Sequence, residues 1–220
     1  MAYSFNPSIV QNGLILNIDA ASLKSYSGTG TIWKDTSGNG NNCTLVNSPT
    51  YNTAPYSFSF NDASGQYAAS ISNLLPAAAY TKVVWFNLSA YVSSNNIVGG
   101  GNSAQHTLWM YGGSTLNSGH NSVWNQVVGA TTINLNTWYC GAVTFSNVSG
   151  WVLYVNGVVD GTNSSTTMFT GNNPGEILIG AFANGNLISG KVADVQIYNR
   201  ALSATEVKQN YNALKGRYGL

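Results

Sequence analysis

The chain has 220 residues and a formal net charge of +1 at pH 7, with 7% of residues charged and 44% hydrophobic. That length can hold a full core, and so much apolar and aromatic content argues against disorder. There is no Lys/Arg cluster of the kind nucleic-acid binding needs and no run near the ~20 apolar residues of a membrane helix, so neither partner is expected.

The opening residues, MAYSFNPSIVQNG, lack the basic and apolar regions of a secretory leader, and none is expected. Leu14, Leu16 and Ile18 then alternate through GLILNID as a first strand. DTSGNGNN, at 35–42, is a dense turn signal. It places Asp35, Ser37 and Asn39 like the first three ligands of a calcium loop, with Gly40 at the turn. Val46, however, stands where a bidentate Glu belongs. The preferred reading is an Asx-type turn in which Asp35 caps backbone N–H groups.

Short alternating runs follow at 57–60, 66–71, 80–90, 96–100, 106–111 and 121–128. Turn clusters such as GGGNS, YGGS and LNSGHN separate them. This spacing marks an antiparallel sandwich or barrel, since βαβ units would need intervening helical periods. Within HTLWMYGG, the residues Thr107, Trp109 and Tyr111 share one face. Within SGHNSVWNQVV, His120, Ser122, Trp124 and Gln126 do the same. Aromatics among polar groups suit a sugar-stacking surface, so Trp109, Tyr111, His120 and Trp124 are candidate ligand-binding residues. A core or an oligomer interface is the alternative.

NTWYCGAVTFS (136–146) and GWVLYVNGVVDG (150–161) are neighbouring strands, the second turning at Asn156-Gly157 as a type I′ hairpin. EILIG and KVADVQIYNR supply the last strands. Only then does the period change. Ser203-x-x-Glu206 forms a capping box, and Leu202 staples onto Val207. Val207, Tyr211 and Leu214 fall on one helical stripe. The predicted helix spans about 203–215, with Gly216 as its stop. Cys43 and Cys140 are read as two separate buried thiols, in preference to a disulfide. The sequons at Asn42, Asn87, Asn147 and Asn163 are expected by chance in so Asn-rich a chain.

The pieces GLILNIDA, WKDTSGNGNNCTLVNSPTY, NTWYCGAVTF, WVLYVNGVV and VADVQIYNRALSATEV, in this order, resemble the laminin-G-like branch of the concanavalin-A-like jelly-roll superfamily. The resemblance implies a single domain over 1–220: an all-β, two-sheet antiparallel jelly-roll sandwich closed by one short C-terminal helix. The ending NYNALKGRYGL also looks like versions of this domain in tailed-phage structural proteins. In glucanase relatives an Asp in the late strand that corresponds to Asp194 here helps hold a structural calcium, together with backbone carbonyls. Where relatives tend to have acids, this chain has Asn61 and Gln66. The alternative for Asp194 is a salt bridge or hydrogen bond, with Arg200 as the partner.

Glycoside hydrolysis, which relatives of this fold perform, needs two carboxylates roughly 5–10 Å apart. The two glutamates are Glu206, engaged in the capping box, and Glu176, which has no acidic partner two or four positions away. Asp19, Asp35, Asp62, Asp160 and Asp194 lie singly at strand ends or turns. His106 and His120 have no Gly-x-Ser-x-Gly elbow to serve, and no Cys-x-x-Cys or His-x-x-x-His metal spacing exists. Beyond the calcium that Asp194 would hold, no cofactor is expected, and no enzyme.

Two roles follow. The first is a structural component of a virus particle (decoration, fibre or tail) whose partners are other virion proteins or further copies of itself. The second is a carbohydrate-binding module that adheres to surface glycans from an extracellular position.

Overall fold

The computed structural model describes residues 7–70, 74–101, 106–111, 113–170, 177–183 and 185–220. The first strands are β1 (Leu14–Asp19), β2 (Ile32–Trp33), β3 (Cys43–Val46), β4 (Thr50–Thr53), β5 (Tyr56–Phe60) and β6 (Tyr67–Ser70). Next come β7 (Ala79–Leu88), β8 (Ser94–Asn96), β9 (Val98–Gly100), β10 (Thr107–Tyr111), β11 (Asn117–His120) and β12 (Val123–Val128). The last are β13 (Tyr139–Ser146), β14 (Gly150–Val155), β15 (Val158–Asn163), β16 (Ile177–Ile179) and β17 (Gly190–Tyr198), followed by helix α1 (Ala204–Leu214).

Two antiparallel layers form a jelly-roll sandwich. The back layer runs β15-β14-β13-β7-β17-β5-β4, and β1 pairs along the C-terminal part of β17. The front layer consists of β2-β3-β6-β16-β9 and β12-β11-β10-β8. These two sheets meet where β8 runs into β9, and Ile97 N–H donates to Leu108 O at 3.0 Å. Leu16, Ile18, Val84, Phe86, Phe145 and Ile197 of the back layer pack against Trp33, Leu45, Val98, Leu108, Met110 and Ile179 of the front.

The middle back strands β7, β13 and β17 are buried on both faces, hence runs such as KVVWF without polar alternation. Their second face, with Val83, Trp85, Ala142 and Tyr198, receives Leu202, Val207 and Leu214 from the helical end of the chain. The capping box forms as expected: Ser203 Oγ accepts from Glu206 N–H, and Ser203 N–H donates to Glu206 Oε2 at 2.8 Å. Asn210, polar yet fully buried, clasps the start of the chain. Its Oδ1 accepts from Val10 N–H at 2.8 Å, and its Nδ2 donates to Tyr198 OH at 2.9 Å.

Three local expectations change. The helix does not stop at Gly216. It tightens into a 3₁₀ turn, Lys215–Tyr218, and Gly219 takes the left-handed conformation at φ 75°. LNSGHN is not a turn but mostly β11; the reversal falls at Asn121 and Ser122, with φ 55° and 64°. The third concerns the aspartates, because the register of β1 with β17 places Asp19 opposite Asp194. The Asn156-Gly157 hairpin stands, with φ 52° and 74°. Cys43 and Cys140 are free and buried, one inside the sandwich and the other beneath the helix.

Candidate functional site

The outer face of β8, β10, β11 and β12 carries two of the aromatic candidates, Trp109 and Trp124. Trp109 lies opposite Asn96 on one side and Asn117 on the other. Its neighbour Leu108 pairs with Ser118 and turns into the core. Trp109 Nε1 donates to Trp124 O at 3.0 Å, fixing the two tryptophans together. Phe182, from the segment between β16 and β17, meets the Trp124 ring edge-on at 5.2 Å. Asn96 Nδ2 ties that segment down by donating to Asn186 O at 3.1 Å.

A cavity of about 530 Å³ opens among these groups, lined by Trp109, Trp124, Phe182, Asn96, Thr107 and Asn186 together with Ser94 and Asn125. None of the eight is charged. Two of the lining residues keep a polar atom, Asn96 Oδ1 and Thr107 Oγ1, buried with no hydrogen-bond partner among the described residues. An unpaired buried polar atom destabilises by about 1–3 kcal/mol, and both of these are shielded from the open space of the cavity.

Sequence reasoning reached Trp109 and Trp124 by alternation along their strands, and the structure brings both to one cavity. Tyr111 pairs with Ser94 through its backbone, and its side chain lies outside the described residues. His120 requires correction. Because the reversal lies at Asn121 and Ser122, His120 ends β11 and does not share a strand with Trp124. Its ring points into the core, 3% exposed, against Phe145, Trp151 and Phe169. Thr167 O can only accept, so His120 Nε2 carries the proton at 2.9 Å and Nδ1 accepts from Tyr80 OH at 3.2 Å. Burial pushes its pKa down to about 4.

Beside it lies a buried Lys82, fully enclosed, with Nζ 2.7 Å from His106 Nδ1 and 3.4 Å from Val98 O. Burial drives the lysine well below its ordinary pKa, and burial together with Lys82 and His120 does the same to His106. No sequence pattern marked Lys82. Only the packing of β7 against the front layer reveals that it faces inward.

The carboxylates separate in the same way. Asp35 accepts from Asn17 and Ser37 N–H groups with Oδ1 and from Asn41 N–H and the Ser37 hydroxyl with Oδ2, as the Asx-type reading expects. Glu176 lies outside the described residues. Glu206 is held down to about pKa 2 by Arg200, which makes it a poor general acid. That pairing also takes Arg200 away from Asp194.

Asp194 is buried, and its Oδ1 accepts from Gln196 Nε2 at 2.7 Å. Burial and the facing Asp19 hold it well above the usual carboxylate range, and Arg217 pairs with Asp19 at 2.7 Å. A calcium site needs six to eight oxygens and ionised carboxylates. Among the described residues no three His, Cys, Asp or Glu side chains gather to hold a metal. Of the side-chain groups facing Asp194, the Gln196 amide nitrogen and the Arg217 guanidinium are not calcium ligands. Here the local cation is a guanidinium.

Compared by sequence with curated proteins, the chain has no match. Solved structures share its fold. The binding domain of botulinum neurotoxin DC, in complex with SialylT, superposes with a TM-score of 0.71 at 15% identity, covering 93% of this chain and 52% of that one. Domain 4 of an extracellular arabinanase from Geobacillus stearothermophilus, in complex with arabinotriose, gives 0.68 at 17% identity over 90% and 98%. A Trypanosoma rangeli sialidase mutant displaying trans-sialidase activity gives 0.68 at 15% over 97% and 35%. The chain thus spans about half of the neurotoxin structure and about a third of the sialidase, but nearly all of the arabinanase domain. A laminin G family model, described as the concanavalin A-like lectin/glucanases superfamily, matches residues 61–208. That match covers well over half of the chain, which belongs to this superfamily.

Proposed function

We propose that the protein is a non-enzymatic carbohydrate-binding module and that its site is the Trp109–Trp124 cavity. The observation that carries this reading is an uncharged pocket walled by three aromatic rings, Trp109, Trp124 and Phe182, with amide and hydroxyl side chains beside them. Aromatic faces take the C–H side of a sugar ring, and the amide and hydroxyl side chains of the lining, Asn125, Asn186 and Ser94, meet its hydroxyls. The arabinotriose and SialylT complexes of similar folds support the same reading. Of the facing carboxylates Asp194 and Asp19, the first is 1% exposed and the second is held by Arg217, which supports a binding role over a hydrolytic one.

A second reading, a structural component of a virus particle, draws on the phage-like ending and on exposed valines. Val123, Val128, Val158 and Val159 are exposed on β12 and β15, strands that lie close together. Exposed apolar side chains of this kind suit contacts with further copies or with other virion proteins. The two roles are compatible in a displayed lectin, whether the chain sits on a virion or on another extracellular surface.

The test is a glycan array probed with the wild type and with Trp124→Ala, with both samples also run by analytical ultracentrifugation. Binding that the substitution abolishes is the expected result. A blank array with a self-associating wild type would overturn the glycan reading in favour of assembly.

A further inference from the structure

We infer that the ligand is an uncharged oligosaccharide of at least two units, the second of which is received by Asp62. This rests on the glycan reading above and extends it.

A second cleft, of about 250 Å³, is lined by Asp62, Val92, Ser93, Ser94, Asn186 and Leu187. Ser94 and Asn186 also line the tryptophan cavity, so the two spaces adjoin along these residues. Binding pockets usually measure ~300–1,000 Å³, so the smaller cleft makes sense as an extension of the larger and not as a site of its own.

The two linings differ in chemistry. One presents three aromatic rings; the other presents hydroxyls, an amide and one carboxylate. Asp62 is held in place before any ligand arrives. It opens the short turn Asp62–Ser64, where Asn61 Oδ1 accepts from Ala63 N–H at 2.9 Å. Asp62 Oδ1 accepts from the Ser189 hydroxyl, and Oδ2 has no partner among the described residues. A fixed carboxylate with a free oxygen is a strong acceptor for sugar hydroxyls. Neither lining contains Lys, Arg or His, so an acidic sugar would meet repulsion from Asp62 with no compensating cation. An aromatic first subsite, a hydroxyl-binding second one and the missing cation together specify a neutral chain.

The experiment uses an array of neutral mono- to tetrasaccharides beside their sialylated and uronic-acid counterparts, followed by calorimetric titration of the best series. Neutral glycans should bind and acidic ones should not, and lengthening from one unit to two or three should tighten binding by at least about tenfold. Asp62→Ala should remove that gain while leaving monosaccharide affinity within about twofold. Asp62→Asn, which keeps an acceptor for Ser189, should fold like the wild type and retain part of the gain. Equal affinity for mono- and oligosaccharides, preference for acidic glycans, or an Asp62→Ala variant that keeps the full gain would each overturn the inference. If binding is length-independent yet abolished by Trp124→Ala, only this inference fails. A blank array, or binding indifferent to Trp124→Ala, removes the glycan reading as well.

Discussion

Two aromatic groups sit on opposite faces of the molecule, and they behave differently. On the back, Trp85 stacks on Tyr218 at 4.3 Å and on Tyr211 at 5.7 Å, while Tyr218 also meets Trp138 at 4.8 Å. On the front, Trp109, Trp124 and Phe182 surround open space. Both contain polar atoms without a partner among the described residues, since Trp85 Nε1 is as orphaned as Asn96 Oδ1. An orphan atom alone therefore does not mark a site. On the back the chain has used its own tyrosines as the cover, and nothing else can reach the indole. On the front the cover is missing, and that is what leaves room for a ligand.

The largest test of this contrast is truncation on each face. Trp85→Ala should lower stability by about 3–5 kcal/mol, the usual loss for a buried tryptophan. Trp124→Ala, on a partly exposed ring, should lower it by less than about 1 kcal/mol. Thermal or urea unfolding measures both, and equal losses would erase the distinction between cover and site.

A smaller effect comes from acid. The His120 pKa falls from an ordinary 6.5 to about 4, so between these values the unfolded chain binds a proton that the folded chain refuses. The stability contributed is complete above about pH 6.5 and is lost as pH falls towards 4, by up to about 3 kcal/mol. Lys82 acts in the same direction, with a window that opens at its ordinary 10.5. Unfolding midpoints that stay flat from pH 6.5 to 4 would show that the folded core accepts the proton. The change should appear in global unfolding, because this cluster lies between the layers and belongs to neither aromatic face.

The smallest effect is at the helix start. Glu206→Gln weakens the capping box and the half-exposed pair with Arg200, for about 1 kcal/mol. The Glu206 pKa is depressed, so its contribution is present above about pH 4.5 and disappears as pH falls towards 2. Chemical denaturation should detect the loss while the glycan affinity of the front face stays unchanged. A parallel loss of binding would mean that the two faces are coupled.

Much of the back layer was legible because its signals are local. Ser203 and Glu206 are three residues apart, Asn156-Gly157 is a two-residue turn, and β1 alternates within itself. The front layer was harder to read. Asn117, Ser118 and Gly119 look like a turn, yet they are buried strand residues. Ser118 can sit there because its hydroxyl donates to Thr107 O, and Gly119 because any Cβ would collide with Val123 O. Mistaking that strand for a turn put His120 on the wrong face. Trp109 and Trp124 were legible from alternation alone. Their partners Phe182, Asn186 and Asn96 come from distant segments that only the topology assembles, and the same holds for Asp19 opposite Asp194.

The two buried cysteines give each layer of packing its own chemical clock. Burial raises both thiols far above their ordinary pKa, so neither presents a reactive thiolate while its surroundings stay closed. Cys140 lies beneath the helix, and Cys43 lies inside the sandwich. A thiol reagent reaches Cys140 when the helix lifts away, but Cys43 only when the two sheets separate. The rates of alkylation at the two positions thus divide local detachment from global unfolding within one molecule, without any introduced label.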